Sequence, residues 1–159
     1  MDMMWPGIML ECSNAMQAVL PENRVSFCQP DPRSACAVAN VYSKQLICLF
    51  PQHGPAPKHL RRIELADWQQ EIVGAQPERF IRGLIHSDGC RFMNRVRVKG
   101  KRYEYPRYNF TSASDDIRAL FTATCDQLGI EWRRMNARNI SVARRESVAR
   151  LDEFVGPKN

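Results

Sequence analysis

The residues of this chain best suited to chemistry are the cations between Arg91 and Arg107. Seven lysines and arginines stand there against one glutamate, a local charge of +6 that equals the net charge of the whole chain. Alternate residues of a β-strand point to opposite faces, so a strand here separates a basic row from Phe92, Val96 and Val98. A basic face over an apolar one predicts a sheet that lies on DNA, because lysine and arginine bind phosphates. The alternative is a solvated face whose charge serves solubility.

The candidate DNA-binding residues have basic or amide side chains on the two strands of this hairpin and on its turn. They are Arg91, Arg95, Arg97, Lys99, Lys101, Arg102, Arg107 and Asn109. A second basic cluster, suited to positioning phosphates or to a plain charged surface, consists of Arg133, Arg134, Arg138, Arg144, Arg145 and Arg150.

Composition places the chain among ordinary globular proteins. Its 159 residues are enough to bury a core without disulfides or a structural metal. Its composition, 44% hydrophobic and 25% charged, is ordinary for a globular protein. The six cysteines form no C-x-x-C pair, and they are interpreted as small buried apolar side chains in a reducing compartment. With no apolar run of about 18 residues and no signal peptide, the sequence predicts no membrane span. The expected location is the cytoplasm, with nucleoid association in a prokaryote.

Hydrophobic periodicity and turn residues predict the elements that position these side chains. In the first part they are a helix over 11–20, strands over 24–28 and 36–42, a short helix over 43–50, a proline-rich linker over 51–58 and a helix over 63–76. In the second part they are a helix over 78–87, strands over 90–99 and 102–111, a helix between Ser114 and Gly129, strands over 130–135 and 139–143, and a helix over 146–155. From residue 78 onward the predicted order is αββαββα.

The first part of the chain looks like a partial repeat of the second. The pattern L-x-x-x-x-G-P occurs at 49–55 and again at 151–157, and helix–strand–strand–helix over 11–50 matches the same order over 115–155. Chance recurrence of this order is the alternative. The sequence therefore predicts an α+β fold with three parts: a partial, degenerate αββα repeat over 1–58, a linker helix over 59–77 and an αββαββα domain over 78–159.

Residues 83–89 read Gly-Leu-Ile-His-Ser-Asp-Gly. This stretch resembles the Gly-Leu-Ile-Asp-Ala-Asp-Gly core of the LAGLIDADG (dodecapeptide, DOD-type) homing endonucleases and differs from it at His86 and Ser87. The αββαββα order that begins with this helix is also similar to the half-domain of that family. The alternative is a helix that ends in an Asp-Gly turn before a strand.

The resemblance implies a site-specific DNA endonuclease whose sheet lies in the major groove of double-stranded DNA. It implies that Gly83, Leu84 and Ser87 pack the motif helix against a second one. Asp88 takes the position of the catalytic acid that holds Mg²⁺ or another divalent cation, a hard ion that prefers carboxylate oxygens. Lys158, which follows the last helix, takes the position of a basic residue that approaches the active site, and Lys58 is its repeat counterpart.

The chain departs from the family because it has one motif where cleavage of both strands needs two. We expect either a reading frame that begins further upstream, a homodimer, or a first repeat that has decayed. Three hypotheses follow: a metal-dependent endonuclease, a catalytically inactive DNA-binding transcriptional regulator, and a basic module of another kind such as an RNA-binding domain.

Overall fold

A computed structural model describes residues 2–158, which divide into two compact units. The first unit holds residues 2–53 with 157 and 158, and the second holds residues 54–156. Met1 and Asn159, the outermost residues of the predicted domains, lie outside the described residues. None of the helices formed by residues 2–158 has the length and apolar character that crossing a membrane requires.

The first unit has the predicted order αββα. Its elements are α1 (Pro6–Val19), β1 (Ser26–Cys28), β2 (Val38–Asn40) and α2 (Leu46–Leu49), with β1 and β2 antiparallel. Helix α1 begins earlier than predicted because Pro6 suits the first helical position, where its missing N–H has no helical partner to lose. Among residues 2–53, the buried apolar side chains are Leu20 and Ala37, so this unit has a small core.

The second unit contains the predicted αββαββα order. Its elements are α3 (Asp67–Ala75), α4 (Pro77–Asp88), β3 (Gly89–Val98), β4 (Lys101–Thr111), α5 (Asp115–Gln127), β5 (Arg133–Arg134), β6 (Asn139–Val142) and α6 (Arg145–Phe154), preceded by a 3-10 turn at Lys58–Leu60. The α+β class is confirmed. Pro77 begins α4 and the Ser114 hydroxyl caps α5, as the sequence predicts.

Two predicted elements are shorter than expected. Helix α3 begins at Asp67 rather than at Ile63, because the backbone N–H of Ile63 donates to the Asp116 carboxylate at 2.7 Å and holds that segment against α5. The strand predicted over 130–135 is reduced to Arg133–Arg134, since Ile130 is buried and its N–H closes the end of α5.

The four strands of this unit form an antiparallel sheet in the order β3-β4-β6-β5. One face of it, the helix-side face, presents Tyr108, Phe110, Ile140 and Val142 to the core formed with α4, α5 and α6. At the centre of this core Phe110 stacks on Phe121, with ring centroids 4.4 Å apart. The opposite face is called the outer face below.

The prediction that all cysteines are buried is wrong. Only Cys125 is buried among residues 2–158, and there the pKa of its thiol is raised to about 12, chiefly by burial. Four others are exposed and free, namely Cys28, Cys36, Cys48 and Cys90. Three of these belong to the first unit, whose small core covers few side chains.

Candidate nucleic-acid interface

The strand register decides which hairpin cations share a face. Residues directly opposite each other in an antiparallel pair point to the same side. Phe110 is paired with Gly89 and Tyr108 with Arg91, and both aromatic rings lie in the core. The row that contains Arg91, Arg95 and Arg97 therefore lies on the helix-side face, together with Arg102 opposite Arg97.

The sides of the hairpin are thus the reverse of those that alternation predicts. The apolar row is not buried beneath the cations: Phe92 is 40% exposed and Val98 52%, and both lie on the outer face. The physical reason is long-range. The buried pair Tyr108 and Phe110 fixes the orientation of β4, and pairing carries that orientation to β3.

Arg91 stabilises the base of the hairpin. Its Nε donates to Asp152 Oδ1 at 2.7 Å and its Nη2 donates to Oδ2 at 2.9 Å, while the Tyr108 hydroxyl donates to Oδ1 at 2.7 Å. These bonds hold the pKa of Asp152 below its usual range, with the hydrogen bond from Arg91 the largest cause. Burial, followed by the bond to Asp152, raises the pKa of Tyr108. Arg91 is therefore occupied within the chain.

The other cations of the helix-side face differ in how far they are neutralised. Arg95 and Arg102 both pair with Glu104, at 3.2 and 2.5 Å. Arg97 and the turn residue Lys99 are exposed and have no acidic partner among residues 2–158. Lys99 and Gly100 have φ of 49° and 79°, the left-handed conformation that a two-residue hairpin turn needs.

The outer face carries cations and no acid on any of the described strands. Lys101, Arg107 and Asn109 of the candidate set lie on it, and Arg133 joins them from β5. One row crosses all four strands as Cys90, Asn109, Ser141 and Arg133. Tyr103 and Tyr105 lie further along the same face of β4, with Tyr103 48% exposed.

The alignment of Arg133 and Ser141 with Asn109 is not visible from spacing along the chain, because it depends on the pairing of β6 with both β4 and β5. Assigning Phe110 and Tyr108 to the core would have shown which residues of every strand face the helices and which lie on the outer face.

Asp88 is the last residue of α4 and comes immediately before β3. Its side chain is 45% exposed, and the Lys58 ammonium lies 3.6 Å from Asp88 Oδ2. The Ser87 hydroxyl donates to the Leu84 carbonyl at 3.0 Å. Among residues 2–158 no three His, Cys, Asp or Glu side chains are grouped to hold a metal ion. Lys158 belongs to the first unit and Asp88 to the second.

The motif helix has an open side. Gly83 and Ser87 are exposed, whereas Leu84 is half-buried and packs against the core. A Cβ added at Gly83 would meet no atom within 4 Å outside its own helix. No contact among residues 2–158 requires glycine at this position.

Gly89, by contrast, is required where α4 passes directly into β3. A Cβ there would lie 2.8 Å from the Ile85 Cα, a backbone atom that cannot move cheaply. We expect Gly89→Ala to lower the free energy of unfolding by about 1–3 kcal/mol, measured by chemical denaturation. The matched control is Gly83→Ala, which is expected to raise it by about 0.5–1 kcal/mol because glycine is costly inside a helix. Equal effects of the two substitutions would contradict this account of the junction.

No family model matches this chain, and no curated protein matches its sequence. What this surface binds is therefore inferred from its geometry and charge.

Proposed function

We propose that this protein is a duplex DNA-binding protein of the LAGLIDADG homing-endonuclease type, with the outer face of the four-stranded sheet in the major groove. In this proposal two copies bring their motif helices together, and Asp88 of each copy holds Mg²⁺ or another divalent cation for phosphodiester hydrolysis. The fold proposed is the αββαββα half-domain of that family, preceded by a degenerate partial repeat.

The observation that carries the DNA-binding part is the absence of acid from the outer face of the described strands. The cations Lys101, Arg107 and Arg133 lie there with Asn109, an amide that can pair with adenine, and with exposed aromatic rings. Glu104, the single acid of the hairpin, lies on the other face. Strands without acidic side chains on this face add no repulsion toward phosphates, and β-strands fit the width of the major groove.

The hydrolytic part depends on a second copy. Mg²⁺ is held by carboxylates together with substrate phosphates, and residues 2–158 of one chain form no group of three His, Cys, Asp or Glu side chains that includes Asp88. The exposed row of Gly83 and Ser87 is where a second α4 could approach closely, since small residues allow backbones near each other. When bound, the metal would neutralise charge at the scissile phosphate. Asp88 would hold it, and Lys58 would move from Asp88 toward the phosphate.

A second candidate function is a DNA-binding regulator that does not cleave. The observation that favours it is the ion pair between Lys58 and Asp88 at 3.6 Å, which neutralises the Asp88 carboxylate. Both candidates need the same interface.

The interface is tested with two double variants that each remove two cations from the hairpin. Lys101→Ala with Arg107→Ala changes the outer face, and Arg95→Ala with Arg102→Ala changes the helix-side face. We measure affinity for a random-sequence duplex as a function of salt. Each phosphate contact contributes about 0.9 to the slope of log K against log salt, so the outer-face variant is expected to lose about one to two units of slope.

The helix-side variant removes the same charge and is expected to keep the slope of the unchanged protein. A larger loss in the helix-side variant would show that the outer face is not the interface. If the unchanged protein does not bind duplex DNA at low salt, the proposed function is overturned.

A further inference from the structure

The outer face contains a cleft of about 530 Å³ between β4, β6 and the segment around β5. Arg107, Arg133 and Arg144 line it, with Ser141 and Ala143 between them. Ser141 is opposite both Asn109 and Arg133 in the sheet, so a small side chain lies between a longer amide and a longer guanidinium side chain. The cleft is therefore a depression beside the sheet in which three of the eight lining residues are arginines.

Arg107 is not satisfied by the chain itself. Its Nε is buried and has no hydrogen-bond partner among residues 2–158, and its guanidinium lies 5.8 Å from the ring centre of Tyr105. A buried donor left unpaired costs about 1–3 kcal/mol, and native structures rarely leave one without a purpose. A ligand that supplies an acceptor at this point removes that cost.

Charge in the cleft is also unbalanced. Three arginines line it against one acid, Glu131, and the Arg144 guanidinium already binds Glu131 and Glu146. Arg107 has no acidic partner among the described residues. The cleft thus retains positive charge after its internal pairs are counted. Guanidinium groups present paired N–H donors that match the oxygens of phosphate.

We propose that this cleft binds the phosphoryl group of a nucleotide unit, with Arg107 and Arg133 donating to the phosphate oxygens and the Ser141 hydroxyl below them. Its volume falls in the range of about 300–1,000 Å³ typical of small-ligand sites and exceeds what one phosphate fills. The same group is supplied by the backbone of DNA or by a free mononucleotide. The DNA source rests on the proposed function above.

The test uses the whole chain with Arg133→Ala, and Arg134→Ala as its matched control. The two arginines are adjacent on β5, but Arg134 is opposite the buried Ile140 and belongs to the helix-side face. Thymidine 5′-monophosphate and inorganic phosphate are titrated by calorimetry, and duplex DNA affinity is measured against salt. We expect nucleotide binding at least about tenfold weaker in Arg133→Ala than in Arg134→Ala, and a DNA salt slope lower by about 0.9 in Arg133→Ala alone.

The two measurements separate the sources. Weakened mononucleotide binding with an unchanged DNA slope supports the cleft with a free nucleotide as its ligand. A lowered slope without mononucleotide binding supports it with the DNA backbone as its ligand. If Arg133→Ala and Arg134→Ala behave alike in both measurements, the cleft proposal is overturned even where duplex binding persists. If the unchanged protein binds the nucleotide through Arg133 but does not bind duplex DNA, the proposed function fails and the cleft proposal stands.

Discussion

Replacing Phe110 with alanine is expected to lower the free energy of unfolding by about 3–5 kcal/mol. The Phe110 side chain is fully buried, and its ring stacks on Phe121 with an interplanar angle of 16°. The substitution removes apolar burial, leaves a cavity between the sheet and α5, and loses the ring–ring contact, which adds about 0.5–1.5 kcal/mol to such pairs. Urea denaturation followed by circular dichroism measures the change.

Phe92 supplies the control, because it is the same residue type on the neighbouring strand and lies on the outer face. It is 40% exposed, so Phe92→Ala is expected to cost less than about 1 kcal/mol. A cost for Phe92→Ala as large as that for Phe110→Ala would mean that the outer face is covered in the folded protein. That result would contradict the orientation of the hairpin described above.

The second large effect is expected at Asp88. If two copies cleave DNA together, Asp88→Asn removes the charged metal ligand from both. Loss of about 4 kcal/mol of transition-state stabilisation lowers the rate by roughly 10³-fold. DNA affinity is expected to stay within about threefold, since Asp88 is not one of the strand residues of the outer face. The measurement is Mg²⁺-dependent cleavage of a library of random duplex sites, with binding followed in parallel.

Glu71→Gln is the matched control, because it removes one exposed carboxylate from α3. It is expected to cleave like the unchanged protein. Cleavage that survives in Asp88→Asn would remove Asp88 from the reaction. Salt-sensitive binding without any cleavage by the unchanged protein would favour the regulator instead.

Local patterns predicted the elements of this chain because the signals that begin and end them are local. Pro77 begins α4, and Gly129, with φ of 68°, follows the end of α5. Each affects only the backbone of the residues next to it. The segment from Ile63 has a helical pattern but forms no helix before Asp67, and the Ile63 N–H is bonded to Asp116, a residue far along the chain. The hydrophobic periodicity of the sequence does not reveal a contact between residues so far apart.

The candidate site was predicted only in part for a similar reason. Composition located the basic hairpin, but the face on which each cation lies depends on which residues of β4 are buried. Tyr108 and Phe110 decide it, and their pairing then separates Lys101 and Arg107 from Arg95 and Arg97. Arg91 could not be recognised as a structural residue from the sequence, because its partner Asp152 is on the last helix.

The unbroken ladder between β3 and β4 also sets a length. Ten successive residue pairs, from Gly89 with Phe110 to Val98 with Lys101, run without a bulge to the turn. At about 3.3 Å per residue the ladder spans roughly 30 Å, and B-DNA rises about 3.4 Å per base pair along a strand. A hairpin parallel to the DNA axis would therefore span about nine base pairs, and one that follows the winding groove would span fewer. Two copies related by a twofold axis would recognise a palindrome of at most about twice that length, and the length of one hairpin limits each half-site.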